Sequence, residues 1–370
     1  MKKNLFFTRL STYAWIFLLL ASTTNAGAQS RSKNAVKTVA NTQVPSGMSS
    51  GVIDAAIETA YLKYRGLKDG KNADYIPVLA EVNPELFGIS MVTLDGKVYG
   101  KGDTSSRFSI QSISKVFTMA RVIEEQGPKA LMEKIGVDAT GLKFNSIAAI
   151  ELRKGKEINP LVNPGAIAAT SMIGGATYDE KWNNILQTMS DFAGRELAVN
   201  EPVYKSEAAT NQRNQAIAML LSAYERLYFD PAQSTDIYTR QCAVNVDARD
   251  LAIMAATLAN GGTNPVTGKR VVAAETVSHT LAVMATAGLY DDSGIWLFNV
   301  GLPGKSGVGG GIIAVAPGKF GIAAFSPRLD EAGNSVRAQK SITEVVNLLK
   351  ANQFLVEPRA PKLAVSQVSQ

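Results

Sequence analysis

The sequence predicts an α+β fold: a central antiparallel five-stranded sheet, flanked by N- and C-terminal helices, with a large all-helical lobe inserted between two groups of strands. Three features lead there. A strand, a tight turn and a returning strand occupy 88–100. The stretch from about 128 to 288 is alanine-rich and almost wholly helical in pattern. Strand character then returns three times, followed by a helical pattern at 335–352. One sheet assembled from both ends of the chain accounts for that order.

Residues 1–28 read as a secretory signal, with Lys2, Lys3 and Arg9 ahead of an apolar run at 13–21 and the small residues Ala26-Gly27-Ala28 behind it. That run is too short to span a bilayer, so the expectation is an exported protein, periplasmic or secreted, with no stable membrane anchor once the signal is removed. Residues 29–47 are polar and aperiodic and read as a flexible leader. The domain proper is expected at 48–355. It opens with a helix at 52–64, whose Ile53, Ala56, Ile57, Ala60 and Tyr61 share one face. Pro77 then forces extended backbone at Ile76 and so holds Tyr75 in place.

Residues 88–94 and 97–100 are strands around an Asp95-Gly96 turn. An apolar helix over 108–127 follows, ended by Gly127-Pro128. Helices are predicted within the lobe at 162–173, 178–194, 211–228 and 248–260, the last capped by Gly261-Gly262. Strands are predicted at 295–300, 311–316 and 321–326, then a closing helix and a loose tail over 356–370.

Counting residues excludes several chemistries. Removing the signal lowers the formal net charge from +6 to +3, too little and too scattered to argue for nucleic acid. Cys242, the single cysteine, permits no intramolecular disulfide and is expected to pack in the core. His279 is the single histidine, in a predicted helix with no nucleophile motif near it, and is read as structural. Common His-rich metal sites are therefore excluded, and any base should be something other than imidazole.

Ser112 and Lys115 supply such a base and its nucleophile. Three residues apart in a helix, their functional atoms lie on one face and can meet. Ile110, Ile113, Val116, Phe117, Met119, Val122 and Ile123 surround them with apolar side chains, so the helix should run through a core. An ordinary lysine is neutral in only about one molecule in 2500 at pH 7, a handicap of about 4.6 kcal/mol for a base. Burial disfavours the ammonium form and would let Lys115 take the Ser112 proton. Ser30-Arg31-Ser32-Lys33 has the same spacing, but in a polar stretch where no burial could activate it.

Lys305-Ser306-Gly307, followed by Val308-Gly309-Gly310-Gly311, is placed at the start of the strand over 311–316. Glycine there allows close backbone approach, and the free N–H groups of an edge strand can hold an oxyanion. S-x-x-K opening a core helix with K-[ST]-G on a later strand is the penicillin-binding and β-lactamase signature pair.

The chain resembles the serine-dependent glutaminase family, in an exported form. The matching blocks include Tyr75-Ile76-Pro77, Gln111-Ser112-Ile113-Ser114-Lys115, Asn159-Pro160-Leu161-Val162-Asn163-Pro164-Gly165, Ser206-Glu207, Arg213-Asn214, Gly288-Leu289-Tyr290-Asp291 and Gly304-Lys305-Ser306-Gly307-Val308. They run in family order from about residue 50 to 352. The resemblance implies a β-lactamase-like fold and hydrolysis of L-glutamine without metal or organic cofactor, in a homo-oligomer, dimer or tetramer.

By matching position it implies Ser112 as nucleophile, Lys115 as base, and Tyr290 and Tyr75 as tyrosines flanking the serine. It also implies Asn163, Glu207, Asn214 and Tyr238 as ligands of the α-amino and α-carboxyl groups, Val308 as a backbone donor to the substrate carbonyl, and Lys305 as a positive charge beside the site. A zwitterionic amino acid needs an anion for its ammonium and amide donors for its carboxylate, and Glu207, Asn163 and Asn214 are of those types. Two alternatives stay open. One is a β-lactamase or DD-peptidase of the envelope, which export favours but the lack of a clear S-x-N motif between Lys115 and Lys305 opposes. The other is a non-catalytic exported amino-acid receptor, which would need neither Ser112 nor Lys115.

Overall fold

A helix that begins the domain and a helix that ends it lie side by side on one face of a single sheet. The structure, a computed structural model, describes residues 48–358 except 157. The expected signal peptide, the leader and residues 359–370 of the expected tail lie outside the described residues. In chain order the elements are α1 (Ser50–Tyr64), α2 (Pro77–Ala80), β1 (Gly88–Thr93), β2 (Val98–Gly102) and β3 (Phe108–Ser109). The helical lobe follows: α3 (Ser114–Lys134), α4 (Ala148–Arg153), α5 (Asn163–Met172), α6 (Tyr178–Ala193), α7 (Glu201–Ala208), α8 (Gln212–Ala223), α9 (Pro231–Cys242), β4 (Asn245–Val246), α10 (Ala248–Ala259) and α11 (Ala274–Ala287). The chain closes with α12 (Ser293–Val300), β5 (Gly304–Ser306), β6 (Gly311–Ala316), β7 (Phe320–Phe325) and α13 (Val336–Leu348).

The main sheet runs β2-β1-β7-β6-β5, antiparallel throughout, with Ile89 opposite Ala324 and Lys305 opposite Ile313. The first and last thirds of the chain therefore meet in its middle, as the α+β prediction requires. β1, β6 and β7 are buried along their whole length. Their sequences accordingly read as apolar runs, because both faces are covered. Ile89, Met91, Ile312 and Ile322 face α1 and α13, while Val92, Ile313, Ala323 and Phe325 face the lobe. α10 packs closely on the lobe side: a Cβ on Gly321 would lie 2.1 Å from the Ala256 nitrogen, so only glycine fits there.

Two predicted elements differ in kind, and the helix expected over 211–228 ends at Ala223. Residues 295–300, expected as a strand, form most of α12. Burial follows helical spacing, with Trp296 and Val300 inside and Ile295 and Phe298 outside. Gly301 ends the helix at φ +68 with its N–H on the Leu297 carbonyl. The strand that replaces it is β5, which carries Lys305 and Ser306 itself instead of leaving them to open the next strand.

The predicted helix over 108–127 is also three things in succession. Phe108 and Ser109 pair with Val246 and Asn245, Gln111–Ile113 makes a 3₁₀ turn, and the α-helix starts only at Ser114. Gly127 (φ 82, ψ 159) breaks α3, but Pro128 starts a second helical piece that continues to Lys134.

Candidate active site

Ser112 sits in the 3₁₀ turn between β3 and α3, at the bottom of a cleft of about 290 Å³. Such a volume lies at the small end of ligand sites and suits one small molecule. Tyr75 and Ile76 from the loop before α2 line it, with Asn163 at the start of α5, Glu207 in α7, Asn214 in α8, Tyr238 in α9, and Val308 after β5. Of the residues expected at the site, the cleft thus gathers Tyr75, Ser112, Asn163, Glu207, Asn214, Tyr238 and Val308. Lys115, Tyr290 and Lys305 do not line it and are buried.

Lys115 is 1% exposed, with its Nζ 2.9 Å from Ser112 Oγ and 2.7 Å from Asn163 Oδ1. Burial pushes its pKa down to about 8, against the opposing influence of Cys242 and the Glu207 carboxylate. As a neutral amine it has two protons and one lone pair. One proton serves Asn163, and the lone pair can then receive the hydroxyl proton of Ser112. Asn163 is the hub of this arrangement: its Oδ1 also accepts from Tyr238 OH at 3.1 Å, and its Nδ2 donates to Asn214 Oδ1 at 3.0 Å.

Glu207 is the one acidic side chain among the described residues lining the cleft. Burial raises its pKa to about 7, opposed by a hydrogen bond from Gln111 Nε2 at 3.2 Å and by Lys115. Such a carboxylate lacks a full counter-charge. A ligand ammonium would supply one.

Tyr290 lies at the start of a second 3₁₀ turn, in a left-handed conformation at φ 55. Its ring packs on Phe144 at 4.9 Å and lies 4.2 Å from Lys305 Nζ. The hydroxyl is buried with no hydrogen-bond partner among the described residues, and so is Ser306 Oγ. Burial pushes Tyr290 up to about 12, and the Ser112 and Ser306 hydroxyls, near it but outside hydrogen-bonding geometry, hold back part of the rise. Lys305 is fully buried, donating to the Ser306 carbonyl at 2.7 Å, and burial followed by Lys115 drives its pKa well below the usual lysine value. Its surroundings therefore oppose the fixed positive charge that the family resemblance implies.

Tyr75 keeps about half its surface exposed (54%) on the rim. Across the cleft, a Cβ on Gly307 would lie 2.8 Å from the Ile110 carbonyl and 3.3 Å from the Ser112 nitrogen. That closeness brings the backbone at Gly307 against the Ser112 amide.

Sequence reasoning assigned no role to Gln111 or Arg213. Both line the cleft, and Arg213 braces its rim by donating from Nε to the Asn145 carbonyl at 2.9 Å. Gln111 stood inside a matching block, but nothing in its spacing marks a bond to a residue in α7. Cys242 is buried, as expected. His279 is exposed on α11, beside an apolar groove of about 560 Å³ formed with residues such as Leu131 and Met132, and not in the Ser112 cleft.

A five-stranded antiparallel sheet with helices from both chain ends on one face and an inserted helical lobe on the other defines the β-lactamase-like class. Within that class the comparisons are specific. The sequence family described as Glutaminase matches residues 70–354. The glutaminase of Colwellia psychrerythraea is 55% identical over 303 residues, covering 82% of this chain and 97% of that protein. Among solved structures, the probable glutaminase ybaS superimposes with a TM-score of 0.82 at 49% identity, covering 83% of this chain and 99% of the other. A probable glutaminase from Bacillus subtilis, complexed with 6-diazo-5-oxo-L-norleucine, gives 0.73 at 28% identity, covering 83% and 98%. The chain belongs to the glutaminase family and is a glutamine-hydrolysing amidohydrolase.

Proposed function

We propose that the enzyme converts L-glutamine to L-glutamate and ammonia through a γ-glutamyl ester on Ser112, with Lys115 as the base. The observation that carries this is the 2.9 Å contact between Lys115 Nζ and Ser112 Oγ, made by a lysine with almost no access to water. With a pKa of about 8, roughly one Lys115 in ten is neutral at pH 7, and the handicap of the base shrinks to about 1.4 kcal/mol.

Lys115 takes the hydroxyl proton as Ser112 Oγ attacks the γ-carbonyl carbon. The oxyanion rests on the N–H groups of Ser112 and Val308, each such donor contributing about 3 kcal/mol in comparable sites. The C–N bond then breaks and ammonia leaves, protonated by Lys115 or by Tyr290, which with Tyr75 flanks the serine. Either way the proton taken from Ser112 passes to the leaving ammonia, directly or through Tyr290, so Lys115 is neutral again. It then takes a proton from water as the hydroxide attacks the ester carbonyl, and returns that proton to Ser112 Oγ as the ester C–O bond breaks and glutamate leaves. Glu207 receives the α-ammonium, while Asn163, Asn214 and Tyr238 hold the α-carboxylate. Lys305 supports the site from behind Tyr290.

Replacing Ser112 with alanine is expected to abolish ammonia release while glutamine binding stays measurable by calorimetry. Substantial surviving turnover would remove Ser112 from its role. No feature of the cleft favours the β-lactam or receptor alternatives, and both sit poorly with the family assignment.

Export and a homo-oligomeric state, dimer or tetramer, are part of the same proposal. The basic and apolar pattern of residues 1–28 supports export. No helix among the described residues is long and apolar enough to cross a membrane. Exposed apolar side chains such as Phe298, 87% exposed, support self-association. Cell fractionation with N-terminal sequencing tests the first, and light scattering of the purified protein tests the second.

A further inference from the structure

Gln111 is tied into the site from several sides, although no step of the reaction above uses it. Its side chain is buried at 3% exposure, and Nε2 donates to Glu207 Oε2 at 3.2 Å and to Ser109 Oγ at 3.3 Å. Its carbonyl accepts the Ser114 hydroxyl at 2.7 Å, which fixes the first turn of α3. The glycine-rich turn after β5 packs against it: a Cβ on Gly309 would lie 3.4 Å from Gln111 Cγ and 2.4 Å from the Ser109 carbonyl. Its backbone sits at φ 51, a left-handed conformation that a residue with a Cβ adopts only when its surroundings enforce it. The residue immediately before the nucleophile is thus locked at both backbone and side chain, and its amide points at a carboxylate on another helix.

We infer that Gln111 is a positioning residue: it holds the Glu207 carboxylate in the orientation and ionised form that receives the substrate's α-ammonium. This rests on the reading of Glu207 as the ammonium ligand. The carboxylate is buried, and a buried acid tends to keep its proton. A protonated Glu207 would offer the ammonium no opposite charge. Around Glu207 stand Lys115 from α3, Tyr238 and Cys242 from α9 and Tyr75 from the loop before α2, with Arg213 of α8 in the same cleft. Of these Lys115 favours the anion, but less than the Gln111 amide does. Lys115 must also give up its charge to act as base, so of the two protein groups that favour the Glu207 anion the amide is the one whose support is constant, before substrate binds and after. One turn then sets two things together, the aim of the nucleophile and the charge that recognises the substrate.

The test compares Gln111→Met, Gln111→Asn and Glu207→Gln with the unaltered enzyme on L-glutamine from pH 6 to 9. Methionine keeps the length and removes the donor. Asparagine tolerates the left-handed backbone and keeps an amide, but falls one methylene short of Glu207. Both Gln111 variants should raise KM about tenfold at pH 7 with kcat within about threefold, and the gap should close toward pH 9 as Glu207 ionises unaided. Should the methionine variant fail to fold, the asparagine variant carries the same comparison.

A fall in kcat with KM and its pH dependence unchanged would overturn the inference, leaving Gln111 a purely structural residue. Wild-type behaviour of Gln111→Asn would overturn it too, since backbone conformation would then be all that matters. If Glu207→Gln raises KM and the Gln111 variants do not, this inference alone falls. If Glu207→Gln leaves KM unchanged, the ammonium assignment falls with it.

Discussion

Lys115 and Tyr290 show what burial costs single polar residues at this site. A buried lysine with amide and hydroxyl neighbours, and no carboxylate bonded to it among the described residues, is disfavoured as a cation, which suits Lys115 to the proposed role of base at moderate pH. Because its pKa lies near 8, kcat should rise as pH increases from 6 and level off above about 8, where the amine is neutral. Lys115→Arg, which stays charged, should lower kcat by roughly 10³-fold across that range in a coupled ammonia assay. Tyr290 carries an orphaned buried hydroxyl, a loss of about 1–3 kcal/mol relative to a satisfied one. Tyr290→Phe should therefore raise the denaturation midpoint while lowering kcat. A variant that loses both would show that the hydroxyl is bonded in solution and structurally needed.

At the level of elements, what was legible followed periodicity, and what was not followed tertiary demand. α1, α6, α10 and the hairpin of β1 and β2 lie close to where their patterns put them, because apolar spacing and an Asp95-Gly96 turn are local signals. The run over 295–300 misleads because its apolar composition fits a strand. Its two buried members lie four apart, and that spacing is settled by the surface they pack on. The Ser112–Lys115 pair was readable from spacing and apolar context, whereas the left-handed Gln111 and Tyr290 were not, since no local preference puts either residue there. The contact between β7 and α10 is equally silent in sequence, yet strict. Gly321→Val should destabilise the protein by at least about 3 kcal/mol, read as a shifted urea midpoint, because the added side chain meets helix backbone that has no room to move.

For the whole molecule, the buried titratable groups give stability a pH signature. Glu207 has a folded-state pKa of about 7, above the ordinary value of 4.5, so between those limits the folded chain binds more protons than the unfolded one. Its contribution is present below about pH 4.5 and is lost as pH rises through 7. Glu207→Gln should accordingly gain stability relative to the unaltered protein as pH rises over that window, by an amount on the order of 3 kcal/mol in denaturant titrations. A constant difference between the two proteins would mean that the carboxylate is better solvated than its burial implies.

The pairing of β1 with β7 also bears on when the site is first complete. Ile89 finds its partner in Ala324, far along the chain, and the backbone lying against the Ser112 nitrogen is that of Gly307, just after β5. During synthesis the nucleophile's turn leaves the ribosome long before its roof exists. A nascent chain halted ahead of β5 would hold serine and lysine without the strand that shelters them. The site is therefore complete only once both ends of the sheet have been made.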